Sequence, residues 1–172
     1  MKIYPSPFPK GIKCEEAPDD SPEYSIFSHK RFASTREAKD LPAEIGTPVL
    51  AIESGVVALV KNDSDRYINP QTHPRYKILF IEKNIDSEEL KRLDGELLEF
   101  AGKYTNYVQI NQVDGSIAEY LHLDKNVQVD VKQKIMRGDK IGFVGMTGIT
   151  TGPHLHLNIF ESLSIPFELR ER

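Results

Sequence analysis

The chain has 172 residues, with 22 lysines and arginines against 26 acids and a formal charge of −4. That length suits one domain with a sizeable core, and the mild acidity leaves no electrostatic footprint for nucleic acid. A single cysteine, Cys14, excludes an internal disulfide and a cysteine-based zinc cluster, and no run of about 18 apolar residues offers a membrane span.

Residues 1–25 are rich in proline and acids (PSPFPKG, EEAPDDSPE) and read as an irregular arm ahead of a single β domain over 26–172. The start, MKIYPSPFPKG, lacks the apolar stretch of a signal peptide. From Thr47 the texture changes. PVLAIES and GVVALVKN are β-branched runs separated by Ser54-Gly55, a strand–turn–strand signal. Residues 86–104, DSEELKRLDGELLEFAGKY, place Leu90, Leu93, Leu97 and Phe100 at helical spacing, with Ser87 as the cap. This helix and the polar loop before it form an insertion at about 62–104. YVQINQV, then Asp114-Gly115, then SIAEYLHL is the clearest hairpin, with Asp-Gly as a favoured two-residue turn. NVQVDV, KIGFVG and HLHLNIFE complete a series of short strands. The expectation is a mainly β fold, an antiparallel sandwich or open roll, with one inserted amphipathic helix.

The chemistry concentrates in the histidines: His29, His73, His122, His154 and His156. Side chains two apart on a strand share a face. His154 and His156 therefore point one way, and Leu155, Leu157 and Ile159 point the other way into a core. His122, in YLHL, falls on a second strand, on the face of Ala118 and Tyr120. A catalytic zinc takes three His, Asp or Glu ligands and keeps a position open for water. With no HExxH helix, such ligands must come from separate strands and loops. Taken singly, each histidine has a plainer reading: HLH as surface or core filler, His73 as a solvated loop residue, Tyr120 as sheet packing.

In order along the chain, FSHK at 27–30, AKDLPAEIGTPVLAIESGVV at 38–57, DGSIAEYLHL, RGDKIGFVGMTG and TGITTGPHLHL resemble the lysostaphin/LytM-type zinc endopeptidases, peptidase family M23. The resemblance runs from about Pro7 to Glu161, interrupted by 62–104, with Leu157 where the family usually has phenylalanine. It implies His29, Asp40 and His156 as ligands of one Zn2+ per chain, with Asp40 preferred over Asp19 and Asp20. It implies His122 and His154 as the catalytic pair beside the metal. The activity implied is a zinc endopeptidase acting on peptidoglycan stem or cross-bridge peptides, outside the cytoplasm. Gly145, Gly148 and Gly152 would then build a narrow groove by letting a substrate backbone approach closely. Two other readings compete: a non-catalytic regulator or binding module of the same fold, and a phosphohistidine carrier-like sandwich protein. The carrier would need no Asp ligand and no HxH pair.

Overall fold

The computed structural model describes residues 1–18, 28–81 and 85–172. The strands are β1 (Lys2–Pro5), β2 (Lys39–Pro42), β3 (Pro48–Leu50), β4 (Gly55–Lys61), β5 (Tyr67–Ile68), β6 (Tyr107–Gln112), β7 (Ile117–Leu121), β8 (Lys134–Ile135), β9 (Lys140–Phe143), β10 (Gly148–Ile149), β11 (His154–Phe160) and β12 (Phe167–Arg170). Six of them form one antiparallel sheet in the order β2-β11-β7-β6-β4-β8. Alternation decides which face is buried. Leu155, Leu157 and Ile159 of β11, Ala118 and Tyr120 of β7, and Val108 and Ile110 of β6 are completely covered. They share one cluster with Val49 of the separate β3–β9 pair, Ile141 and Phe8, which gives the layered, mainly antiparallel β architecture that the strand pattern predicts.

The arm departs from the irregular reading. Lys2–Pro5 pairs in parallel with β12, and Tyr4 and Phe8 are buried in the main core. Prolines 5, 7 and 9 suggest irregular chain, yet an edge strand tolerates proline because its missing N–H faces no partner. The Tyr4 hydroxyl donates to Asp114 Oδ2 at 2.7 Å and so ties the arm to the β6–β7 turn. That turn has a three-residue rather than two-residue loop. Gln112 N donates to Ser116 O at 2.8 Å, and Gly115 takes φ +86°, the usual role of glycine in such loops. NVQVDV is not a strand. Val129 is buried, but the backbone bonds there, such as Gln128 N to Ile141 O at 2.9 Å, are too sparse to make a ladder.

The insertion contains α1 (Ile78–Ile81) and α2 (Ser87–Tyr104). The cap of α2 is Asp86, one residue earlier than the sequence suggests; its carboxylate accepts from the Glu88 and Glu89 amides at 2.9 and 3.2 Å. Leu93 and Leu97 close a second small core with Tyr76 and Leu79, while Leu90 packs at its margin. The insertion meets the sheet domain where β5 pairs in parallel with β10, just ahead of the HLH strand.

Candidate metal and catalytic site

Sheet register assembles the first part of the site. His156 lies directly opposite Asp40 on β2 and Leu121 on β7. Directly opposed residues share a face, with Cβ atoms roughly 5 Å apart. His156 Nδ1 lies 2.9 Å from Asp40 Oδ1, and His154 Nε2 lies 3.4 Å from the same oxygen. His29 arrives from outside the sheet, at the start of a three-residue 3-10 helix, His29–Arg31, whose cap Ser28 accepts from Lys30 N. His29 Nε2 is 3.3 Å from Asp40 Oδ2, and its ring meets that of His156 edge-on at 4.9 Å. One ligand atom from each of His29, Asp40 and His156 falls within 4.8 Å of the others. Two imidazoles and one carboxylate are a donor set that suits a borderline divalent cation such as zinc. With both imidazoles neutral, such a site would carry a net charge of about +1, which favours a bound water of lowered pKa.

His122 reaches the site by an unexpected route. It lies one residue beyond β7, with φ +61°. Strict alternation would place it with Tyr120, but Tyr120 is wholly buried and its hydroxyl accepts from Ile52 N at 3.0 Å. Tyr120 is therefore sheet packing and no part of a groove wall. The left-handed backbone turns His122 instead toward His154, their rings 4.7 Å apart. A non-glycine residue in that region carries about 1–3 kcal/mol of strain. Three bonds offset it: Gly145 N to His122 O at 3.0 Å, Asn106 Nδ2 to Leu123 O at 3.2 Å, and His122 Nδ1 to Thr147 O at 2.8 Å.

Backbone carbonyls fix the tautomers of the pair. A carbonyl only accepts, so His122 Nδ1 donates to Thr147 O, and His154 Nδ1 donates to Gly152 O at 2.9 Å. In the neutral His122 ring the lone pair then sits on Nε2, whereas His154 Nε2 faces the Asp40 carboxylate at 3.4 Å and carries a proton when it donates there. Burial, reinforced by the neighbouring His154 and His156, pushes His122 down to about 3. Burial pulls His154 the same way, but Asp40 outweighs it and raises its pKa. Burial opposes ionisation of Asp40, yet hydrogen bonds from His154, His156 and His29 together hold its carboxyl well below the usual carboxylate range. Glu119, which shares the site face of β7 with Leu121, is raised by burial.

Sequence reasoning named the five polar side chains gathered here and missed their supports. Thr147 and Gly152 act through main-chain oxygens, which no side-chain pattern reveals. The glycines also differ from the groove reading. A Cβ on Gly145 would sit 2.5 Å from Asp124 N, and Gly148, at φ +83°, packs on Thr105. Both therefore serve close packing within the chain, whereas Gly152 has open space around it. His73 stays apart from the cluster, stacked on Tyr76 inside the insertion at 4.8 Å. Asp19, Asp20 and Phe27 lie outside the described residues. A cleft beside the His122 turn is lined by Asp124, Gly145, Met146 and Thr147 together with Ser64 and Tyr67, the last two contributed by the insertion.

Residues 93–164 match Peptidase family M23. The peptidoglycan DD-endopeptidase ShyA of Vibrio cholerae is 32% identical over 120 residues, 70% of this chain and 19% of that protein, so the chain spans about a fifth of that relative. A zinc-containing peptidase from Vibrio cholerae superposes with a TM-score of 0.56 at 23% identity, covering 94% of this chain and 38% of the other. The catalytic domain of lysostaphin from Staphylococcus simulans gives 0.52 at 21%, covering 92% and 88%. At these identities the two structures speak for the fold. The family match over residues 93–164 and the order of the motifs agree on peptidase family M23, the lysostaphin/LytM-type family that the sequence resembles.

Proposed function

We propose that the chain is a zinc-dependent endopeptidase that cleaves peptide bonds in peptidoglycan, with cross-linked stem peptides as its first substrate class. The observation that carries the reading is the convergence of His29, Asp40 and His156 beside a second pair of imidazoles, His122 and His154. The family's activity and the DD-endopeptidase relative support the substrate class. His29, Asp40 and His156 would hold one zinc ion. Zinc held there supplies Lewis acidity, polarising a carbonyl and lowering the pKa of a water.

The remaining chemistry belongs to this chain's own side chains. His122 keeps Nε2 for the reacting groups, and His154, with Nε2 3.4 Å from Asp40 Oδ1, stands beside it as the second ring. One ring takes the proton of the attacking water at Nε2, and a protonated ring hydrogen-bonds the oxyanion as the carbonyl becomes tetrahedral. The proton then passes to the leaving amine. The main-chain partners at Thr147 and Gly152 keep Nδ1–H occupied, so proton traffic is confined to Nε2. A phosphohistidine carrier has no use for Asp40 opposite His156, and a non-catalytic relative has no use for a complete His/Asp/His set.

The test is digestion of purified cross-linked muropeptide dimers, followed by chromatography, with chelator-treated and zinc-reconstituted protein side by side. The reading expects monomers from the reconstituted protein and a loss of at least about a hundredfold in His154→Ala. Zinc-loaded protein that cleaves neither stem cross-links nor oligoglycine bridges overturns it.

A further inference from the structure

We infer that Asp94, on the inserted helix α2, positions His29 through Arg31, so that the insertion helps to build the metal site; this rests on His29 being a ligand, as proposed above. Asp40 and His156 need no such help, because adjacent strands hold them face to face. His29 begins a helix of only three residues, too short to fix its own orientation. Two residues on, Arg31 Nη1 donates to Asp94 Oδ2 at 2.5 Å. In a 3-10 helix, residues two apart project about 120° apart around the axis. Arg31 can therefore reach α2 while His29 faces Asp40, and holding the one side chain sets the rotation of the other.

The holding group is well placed for that role. The Asp94 side chain is 5% exposed against 30% for Arg31. It lies between Leu93 and Leu97 of the insertion's own core. Its Oδ1 has no hydrogen-bond partner among the described residues. A carboxylate buried with one oxygen unpaired depends on its cation, so Asp94 holds Arg31 firmly. Two further contacts steady the same short helix: Thr35 Oγ1, in the turn that follows it, donates to His29 O at 3.3 Å, and the His29 ring meets that of His156 on the sheet.

The experiment measures zinc affinity of the full chain by chelator competition in wild type, Asp94→Asn, His29→Ala and the double variant. Supporting groups behind a metal ligand typically contribute 10–100-fold in affinity. Asp94→Asn is expected to weaken zinc binding about tenfold or more in the wild-type background, and less than about twofold once His29 is alanine. Equal effects in both backgrounds, or none in the wild type, overturn the inference. A paired variant, Arg31→Met with Asp94→Leu, separates positioning from stability, because replacing a buried ion pair by apolar groups commonly preserves stability. Metal-free melting at the wild-type temperature with zinc affinity still low supports positioning; affinity that recovers along with stability overturns it. If His29→Ala alone leaves zinc affinity unchanged, the assignment of His29 as a ligand fails, and this inference with it.

Discussion

The sheet that carries Asp40, His154 and His156 and the insertion of residues 62–104 are held together by different physics. On β11 the buried and open faces alternate without exception from His154 to Leu157, and a slip of one residue would bury the histidines and expose the leucines. Register there is fixed many times over. The insertion depends on a satellite core of Tyr76, Leu79, Leu93 and Leu97, a short parallel pairing of β5 with β10, and the Arg31–Asp94 pair. Register thus brings Asp40 and His156 together, while His29 sits on a short helix tied to the insertion through the Arg31–Asp94 pair.

The largest expected effect breaks the sheet half of this comparison. His156→Ala should lower peptidase activity by at least about a thousandfold, roughly 4 kcal/mol of barrier, and leave metal-free melting nearly unchanged, because His156 lies on the open face. Activity assays beside thermal melts check both parts.

Next in size are Leu157→Ala and Leu97→Ala, both fully buried leucines. Each should cost about 2–5 kcal/mol locally, but with different reach. Hydrogen exchange should show Leu157→Ala loosening β6, β7 and β11 together. Leu97→Ala should release α2 amides well before those of the sheet. Equal loosening of both regions would merge the two into one cooperative unit.

A smaller effect concerns pH. His122 titrates at about 3 in the folded chain against 6.5 for the free side chain. Between those values the unfolded chain holds a proton that the folded one does not, so stability falls as pH drops from about 6.5 toward 3. For the metal-free protein, this group should contribute a loss on the order of 2 kcal/mol between pH 7 and pH 4.5. His122→Asn should lose correspondingly less across that interval in urea titrations.

The smallest effect is on the exposed face of the insertion. Arg75 makes a paired contact with Glu96 at 2.6 and 2.7 Å, but in open solvent. Arg75→Ala should leave both the melting temperature and zinc affinity where they are, in contrast to Asp94→Asn.

The HLH strand was legible because period-2 alternation states a face directly, and α2 because its leucines repeat at helical spacing. What sequence pattern could not show was any position set by a single backbone torsion or by a distant partner. Resemblance groups His122 with His154, and their rings do lie 4.7 Å apart, but alternation puts His122 on the face of Tyr120, since nothing in YLHL announces φ +61°. Lys2–Pro5 was hidden because its partner lies at Phe167–Arg170, at the other end of the chain. Asp94 reads as one more polar residue of an amphipathic helix, and only the packed chain shows it buried against the helix that carries His29.

The most direct test of the account is the metal content of the purified full chain, wild type beside Asp40→Ala and His156→Ala, after equilibration with zinc and removal of the excess. The account predicts close to one zinc per wild-type chain and far less than one in both variants. A wild-type protein that retains no zinc, or variants that retain as much as the wild type, would contradict it.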